Sequence, residues 1–399
     1  MKDILIISHF VDFPFEKGND RFCYIAEKLR LYGNQVEIVT SDYIHVSKSY
    51  RHKDSVELLK LNYKTTILHE PSYLKNVSLK RVYSHYVFGK NLESYLLGRD
   101  KPDIIYCAVP SLNVAKVAAK YAKKNNIRFI IDVQDLWPEA FKMVFNVPVL
   151  SDALFYPMKK QADYIYDAAD EIIAVSNTYM NRALKVNRKC KEGHSIFLGT
   201  ELASFDSLME KNKFIGKPET EIWLTYVGTL GHSYDLTCVI DALKILEGKG
   251  IKNIKFIAIG DGPLKFMFEN YAKEKGVYVE FIGRLEYGKM AGILKSCDIA
   301  INPIKAGSAG SIINKVGDYS AAGLPVLNTQ ECTEYRNLVD EYQIGLNCQN
   351  NNAEDLATKL VQLYENETLR KTMGKNSRKL AQELFDRKQT YMKIIDLIG

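Results

Sequence analysis

The chain has 399 residues, too many for one ordinary hydrophobic core, so two domains are the default expectation. Hydrophobic residues make up 46% and charged residues 26%, which excludes a disordered chain, and no apolar run reaches the length of a bilayer span. The formal net charge of +6 is uneven: residues 1–200 hold 29 Lys and Arg against 22 Asp and Glu, whereas the remainder holds 25 against 26.

Along the chain, short apolar runs alternate with longer amphipathic ones. Residues 4–7, 36–40, 104–108, 128–132 and 171–175 read as strands, with helical patterns near 20–32, 111–125, 152–168 and 177–186. The opening stretch, Met1 to Ser8, lacks a small-residue cleavage site and reads as a first strand rather than a signal peptide. A second series runs through 222–227, 255–259, 277–282, 299–303 and 325–327, with helices near 235–247, 263–275, 287–295 and 312–322. Near-continuous apolar strands separated by helices imply parallel sheets covered on both faces. The fold class expected is therefore α/β, two doubly wound domains, with the polar segment 204–219 as the join and an all-helical tail after Asn350.

Seven scattered cysteines without a CxxC pair or a Cys/His cluster suit reduced thiols and a cytosolic setting. Between Lys48 and Lys90, nine Lys and Arg face Asp54, Glu57 and Glu70, with Tyr50, Tyr63, Tyr73, Tyr83, Tyr86 and Phe88 among them. Such a stretch suits an anionic membrane surface or a nucleic acid, and equally an ordinary solvated surface with buried rings.

The segment from Gly307 to Val326 is the most informative. Small residues and two glycines let backbone approach a ligand, and a helical run follows in which Lys315 and Asp318 are spaced i, i+3 on one face. A loop feeding a helix N-terminus suits phosphate, a lysine adds a point charge, and a carboxylate can take ribose hydroxyls. The alternative is an ordinary loop in an αβ unit.

Several further motifs stand in order with this one. Tyr226 to Gly231, the Gly260-Asp261-Gly262-Pro263 turn, Val279 to Arg284, Cys297 to Pro303 and the Lys315–Val326 helix together resemble glycosyltransferase family 4, the retaining, metal-independent group with the two-domain GT-B fold. In the first half, Pro14 to Arg21 resembles that family's glycine loop. Ile131 to Glu139 resembles the D-x-x-D-[LX]-W-P-E segment of bacterial capsule, O-antigen and exopolysaccharide transferases.

This resemblance implies two Rossmann-like domains facing an interdomain cleft. Residues 1–200 would bind the acceptor, with a C-terminal helix at 384–399 crossing back onto them, and 201–383 would bind a nucleotide-sugar donor. Donor-binding residues would be Gly228, Thr229, Gly260, Asp261, Gly262, Arg284, Gly310, Ser311, Lys315 and Asp318. Acceptor-binding residues would be Gly18, Asn19, Arg21, Gln134 and Asp135, and the catalytic pair Asp135 and Lys315. The family's E-x7-E motif is altered: Asp318 stands for the second glutamate and Gly310 occupies the place of the first. Thr229 and Tyr234 stand where relatives often carry Arg and Lys, which leaves Lys315 as the plainest cation for the phosphates.

The implied function is sugar transfer from a nucleotide sugar to a saccharide, lipid-linked acceptor in bacterial surface polysaccharide synthesis, by an enzyme peripheral on the inner face of the cell membrane. An anionic membrane surface is an expected partner, nucleic acid is not, and neither a metal nor another cofactor is expected. A nucleotide-sugar epimerase and a non-catalytic partner subunit are the alternatives; the replaced first glutamate favours the latter.

Overall fold

The structure is a computed structural model that describes residues 1–16, 20–52, 55–76, 78–144, 150–214 and 216–399. The chain divides into two compact units, Met1–Ile196 with Tyr391–Gly399, and Phe197–Thr390.

Among the described residues, the first unit holds a seven-stranded parallel sheet. Its spatial order is Lys64–Leu68, Gln35–Ser41, Asp3–Ile7, Ile104–Val109, Arg128–Val133, Glu171–Ala174 and His194–Ser195. Counted along the chain this is 3-2-1-4-5-6-7, a doubly wound order in which direction reverses beside the first strand. The central strand pairs in register on both sides, Ile4 with Val36 and with Ile104. Its residues alternate between two buried layers: Leu5 and Ile7 pack with Phe88, Leu92 and Ala118, while Ile4 and Ile6 pack with Phe22, Ile25 and Leu29. Ile394 and Ile398, from the C-terminal helix Met392–Ile398, complete the second layer.

The second unit repeats the plan with six parallel strands among the described residues, in the order Val279–Gly283, Ile254–Ile259, Ile222–Val227, Ile299–Asn302, Val326–Asn328 and Gly345–Asn347. Counted along this unit the order is 3-2-1-4-5-6. Leu224 and Tyr226 face a layer with Val239 and Leu243, and Trp223 faces the opposite layer with Leu294 and Tyr319.

Three features differ from the sequence expectation. The segment 204–219 is not a linker throughout: Leu202–Lys211 is a helix that buries Leu202, Phe205 and Met209 against Met290, Ala291 and Leu294. The division falls at Ile196, and the returning segment starts at Tyr391, because Phe385 packs with Val316 and Leu380 of the second unit. Lys64–Leu68 is a strand that the apolar pattern did not reveal, being half-buried at the sheet edge with a polar Lys-Thr-Thr start.

Three of the nine cations of the basic stretch are paired locally. Arg51 pairs with Glu16 at 3.3 Å, Lys64 with Glu37 at 3.1 Å and Lys90 with Glu93 at 2.8 Å, while Tyr63, Tyr73 and Phe88 are buried. No helix among the described residues is long and apolar enough to cross a membrane.

Candidate functional site

Ligands of doubly wound sheets bind outside the carboxyl ends of the strands, where the strand order reverses. In the second unit that point lies between Ile222–Val227 and Ile299–Asn302. Tyr319 bridges it: its hydroxyl oxygen accepts from the Val227 amide at 2.8 Å and donates to the Ile301 carbonyl at 3.4 Å. Tyr319 belongs to the seven-residue helix Lys315–Ala321, so this contact also fixes where Lys315 and Asp318 lie.

The Lys315 ammonium lies over the rings of Tyr226 and Tyr234 and donates to the Tyr226 hydroxyl at 3.1 Å. It has no carboxylate partner among the described residues. Burial pushes its pKa well below the ordinary value. Gly228 explains how the ammonium reaches the loop after the first strand: a Cβ there would strike Lys315 Nζ and Cε, and the backbone has φ +148°.

Asp318 accepts from the Tyr287 hydroxyl at 2.7 Å through Oδ1, and Tyr287 also bonds Thr200 Oγ1 at 3.0 Å. Burial raises the Asp318 pKa to about 6, opposed by the Tyr287 bond and by Arg387. Its Oδ2 has no protein partner among the described residues. Tyr287 had no role in the sequence reading; the signal was an aromatic at the start of a helix, which is common in any core.

The remaining expected donor residues differ in setting. Gly260 and Gly262 serve loop packing: a Cβ on Gly260 would collide with the Gly228 carbonyl, and the Leu230 amide donates to the Asp261 carbonyl at 3.0 Å. Thr229, Asp261 and Arg284 are exposed, and among the described residues the Asp261 carboxylate accepts only from the neighbouring Gly262 amide at 2.8 Å. Gly310 faces open space, whereas Ser311 is buried, with its carbonyl accepting from Gln330 Nε2 at 2.6 Å and its hydroxyl without a protein partner.

In the first unit the order reverses between Asp3–Ile7 and Ile104–Val109. The residue two past the first strand is His9, which the sequence reading did not single out. Its Nε2 lies 2.9 Å from Glu70 Oε2 and its Nδ1 2.6 Å from Ser111 Oγ. A carboxylate only accepts, so Nε2 carries the hydrogen and, in the neutral ring, Nδ1 accepts from Ser111. Glu70 is fully buried; burial works against its charge, but His9, Ser84 and Ser41 outweigh it and hold the carboxyl below its ordinary range. His9 thus anchors the strand ends rather than facing solvent.

Asp135 follows the strand Arg128–Val133. Its carboxylate accepts from the Leu136 amide at 2.9 Å, Trp137 Nε1 at 3.1 Å and Tyr179 Oη at 3.4 Å. Burial raises its pKa against these three donors. Gln134 beside it buries an Nε2 that has no protein partner.

Arg21 requires a correction. Its guanidinium is 3% exposed and is held by Asp132 at 2.7 Å and the Ile196 carbonyl at 3.0 Å, with the Tyr391 ring 4.7 Å away. Tyr106 also donates to Asp132. A guanidinium enclosed in this way ties interior elements together and is not available to an acceptor. Gly18 and Asn19 lie outside the described residues.

Residues 209–380 match the family described as glycosyl transferases group 1. An uncharacterized glycosyltransferase of Methanocaldococcus jannaschii is 26% identical over 239 residues, 58% of this chain and 59% of its own length. An alpha-1,4-N-acetyl-D-galactosaminyltransferase of Campylobacter jejuni, named for an acceptor carried on PP-undecaprenol, is 24% identical over 48% of this chain and 46% of its own. The chain therefore spans only about half the length of these curated relatives. Anabaena HepE, solved in complex with UDP, superposes with a TM-score of 0.70 at 14% identity over 99% of both chains. That likeness establishes the GT-B fold.

Proposed function

We propose that this chain, a glycosyltransferase of the GT-B fold, moves a sugar with retention from a nucleotide-sugar donor to a saccharide acceptor. The observation that carries the reading is Lys315, a cation withdrawn from water between two tyrosine rings with no carboxylate beside it among the described residues. A buried charge is costly unless paired, and the diphosphate of a nucleotide sugar supplies the pair.

The chemistry follows from placement. As the nucleoside diphosphate departs, negative charge grows on its terminal phosphate, and the Lys315 ammonium with the amides of the Gly307–Ser311 loop stabilises that charge more than it stabilises the bound donor. The sugar becomes oxocarbenium-like in the transition state. Asp318 takes the ribose hydroxyls through its open oxygen, held in orientation by Tyr287. Asp135, at a strand end of the first unit, lies on the acceptor side, and a donor phosphate oxygen takes the acceptor proton.

The acceptor is lipid-linked in this reading and the product a bacterial surface polysaccharide precursor. The Campylobacter relative, whose name places its acceptor on PP-undecaprenol, supports this. So does the helix Leu79–Gly98, which exposes Leu79, Val82, Tyr83 and Tyr86 along one stripe next to Lys75 and Lys80. Apolar side chains flanked by lysines suit reversible attachment to the anionic inner face of a membrane.

Calorimetric titration with UDP, GDP, ADP and dTDP tests the core of the proposal. One nucleotide should bind the wild-type chain, with the affinity lost in Lys315→Ala. Failure of all four to bind would overturn it.

A further inference from the structure

Two cations of the first unit, Lys48 and Arg81, have no carboxylate partner among the described residues. Lys48 lies in the turn of the hairpin Tyr43–Ile44 and Ser49–Tyr50, and it is held at φ +57°, a conformation that costs a lysine strain. Its ammonium lies 2.7 Å from Asn76 Oδ1, 3.3 Å from His45 Nδ1 and 4.7 Å from the centre of the Tyr73 ring. Arg81, in the first turn of Leu79–Gly98, comes to the other side of the same ring system. Its guanidinium carbon is 5.7 Å from the Tyr73 ring and 4.9 Å from the Trp137 ring, and it donates to the Asn76 carbonyl at 2.8 Å. His45 completes the group, with Nδ1 2.7 Å from the Tyr73 hydroxyl.

The contacts that hold these groups are neutral. Among the described residues no carboxylate lies within the 4.0 Å ion-pair distance of Lys48 or Arg81. Glu70 and Asp135 are the acids that attract Arg81 from further away, and both are spoken for: Glu70 by His9, Ser41 and Ser84, Asp135 by Leu136, Trp137 and Tyr179. Each cation feels the other. Burial and then Arg81 lower the Lys48 pKa, and burial followed by Lys48 and Arg81 lowers that of His45 to about 4. Two like charges held together at a half-buried place, without an acid between them, are stabilised by an anion.

The cluster is also well placed. Lys48 and His45 follow the strand Gln35–Ser41, Arg81 follows Lys64–Leu68, and Trp137 follows Arg128–Val133, so all reach the carboxyl ends of the sheet. Trp137, under Arg81, also donates to Asp135. The cation pair and the acceptor-side carboxylate are thus joined through one side chain.

We propose that Lys48, Arg81 and His45 form an anion subsite in the first unit, and that it takes a phosphate or diphosphate group of the acceptor. The inference rests on the glycosyl-transfer reading for the word acceptor, but the anion site itself does not. Arg81 offers a planar fork to phosphate oxygens and Lys48 a point charge. The rings of Tyr73 and Trp137 flank the guanidinium and keep it partly dry. The acceptor's phosphate would then set the distance from its charged end to the hydroxyl that is glycosylated.

The test uses the full chain carrying Lys315→Ala, so that the second unit no longer competes for anions, titrated with inorganic pyrophosphate by calorimetry. Binding should persist, and adding Lys48→Gln or Arg81→Gln should weaken it at least about tenfold. Absence of pyrophosphate binding, or binding indifferent to both changes in folded protein, overturns the proposal. Arg81→Gln can unfold the helix start; Lys48→Gln, in a surface turn, then decides alone. A second arm separates the acceptor from a membrane headgroup. Phosphatidylcholine vesicles with and without phosphatidylglycerol are co-sedimented with the Lys48→Gln protein. Loss of vesicle binding with unchanged pyrophosphate affinity assigns the cluster to lipid headgroups and overturns the acceptor role. UDP affinity in otherwise wild-type Lys48→Gln is the control: if wild-type protein binds no nucleotide, the transfer reading fails while the pyrophosphate result still stands or falls separately.

Discussion

The Nζ atom of Lys315 lies 3.8 Å from the centre of the Tyr234 ring, at the position where a cation is common in the family this chain resembles. The aromatic face replaces a second positive charge with a weak attraction for the first one. Cation–π contact contributes about 0.5–2 kcal/mol, less than full hydration of the ammonium, so the ligand-free site is strained in favour of an incoming anion.

Removing the ammonium should therefore have opposite effects on activity and stability. Lys315→Ala should lower turnover by roughly one to three powers of ten, the loss typical of an electrostatic transition-state contact. Lys315→Met, which keeps the stem, should instead raise the melting temperature of the ligand-free protein, by about 2–4 °C per kcal/mol recovered. The sign follows from linkage: the folded pKa lies below the unfolded value, so this group's favourable contribution exists at pH above the unfolded pKa and is lost as pH falls through the folded one. Below its unfolded pKa the side chain is a burden to the folded state. A Lys315→Met protein that melts lower than wild type and turns over normally would contradict both halves.

Asp318 should make nucleotide affinity depend on pH. In the proposed role the ribose hydroxyls would donate to an ionised carboxylate, and burial raises the Asp318 pKa to about 6. Affinity should fall as pH drops from 7 through about 6, because the proton competes with the hydroxyls. In Asp318→Asn the affinity should be weaker by ten- to a hundredfold, the range for bonds to a charged group, and the fall in this window should disappear. For stability the sign is reversed: the raised folded pKa favours the folded state below the unfolded value of 3.8, and this contribution is lost as pH rises through about 6. Calorimetry at pH 5, 6, 7 and 8 on both proteins decides the matter.

Asp135→Asn should give folded protein with near-normal UDP affinity and little transfer. Asparagine keeps one oxygen for the Leu136 amide or the Trp137 indole but carries no charge. If circular dichroism shows an unfolded variant, Asp135 is a structural acceptor for the Leu136–Trp137 turn and not part of the chemistry.

Arg21→Ala should destabilise the fold by about 3–5 kcal/mol, since it leaves Asp132 as a buried unpaired charge. Denaturant unfolding measures this directly. A loss below about 1 kcal/mol with a specific rise in acceptor KM would restore Arg21 to the acceptor site.

Membrane attachment should depend on the exposed stripe and its lysines rather than on the whole basic stretch. Changing Lys75 and Lys80 to Gln should reduce binding to vesicles containing phosphatidylglycerol, since each basic residue near such a surface contributes about 1 kcal/mol. Changing Lys90, which already pairs with Glu93, should do much less. Binding should vanish at 1 M salt, where the Debye length is about 3 Å. Equal binding to neutral vesicles would contradict this reading.

What the sequence determined by itself is the α/β plan, because it is written in local patterns. Ile4 to Ile7 and Ile222 to Val227 are apolar on both faces, and that alone demands a parallel sheet with helices on each side. That Lys315 and Asp318 stand i, i+3 on one helix was legible from their spacing. Other relationships join residues too far apart in the chain for any local pattern to encode. Arg21 resembled a loop residue facing a ligand until Asp132, 111 positions away, took its charge. His9 carried no periodic signal, and only the pairing of Asp3–Ile7 beside Ile104–Val109 brought it to Ser111. Lys48 and Arg81 read as members of a solvated charge run. Their convergence on Tyr73 depends on how a hairpin and a helix pack, and whether a charge meets an acid or another cation is decided by that packing.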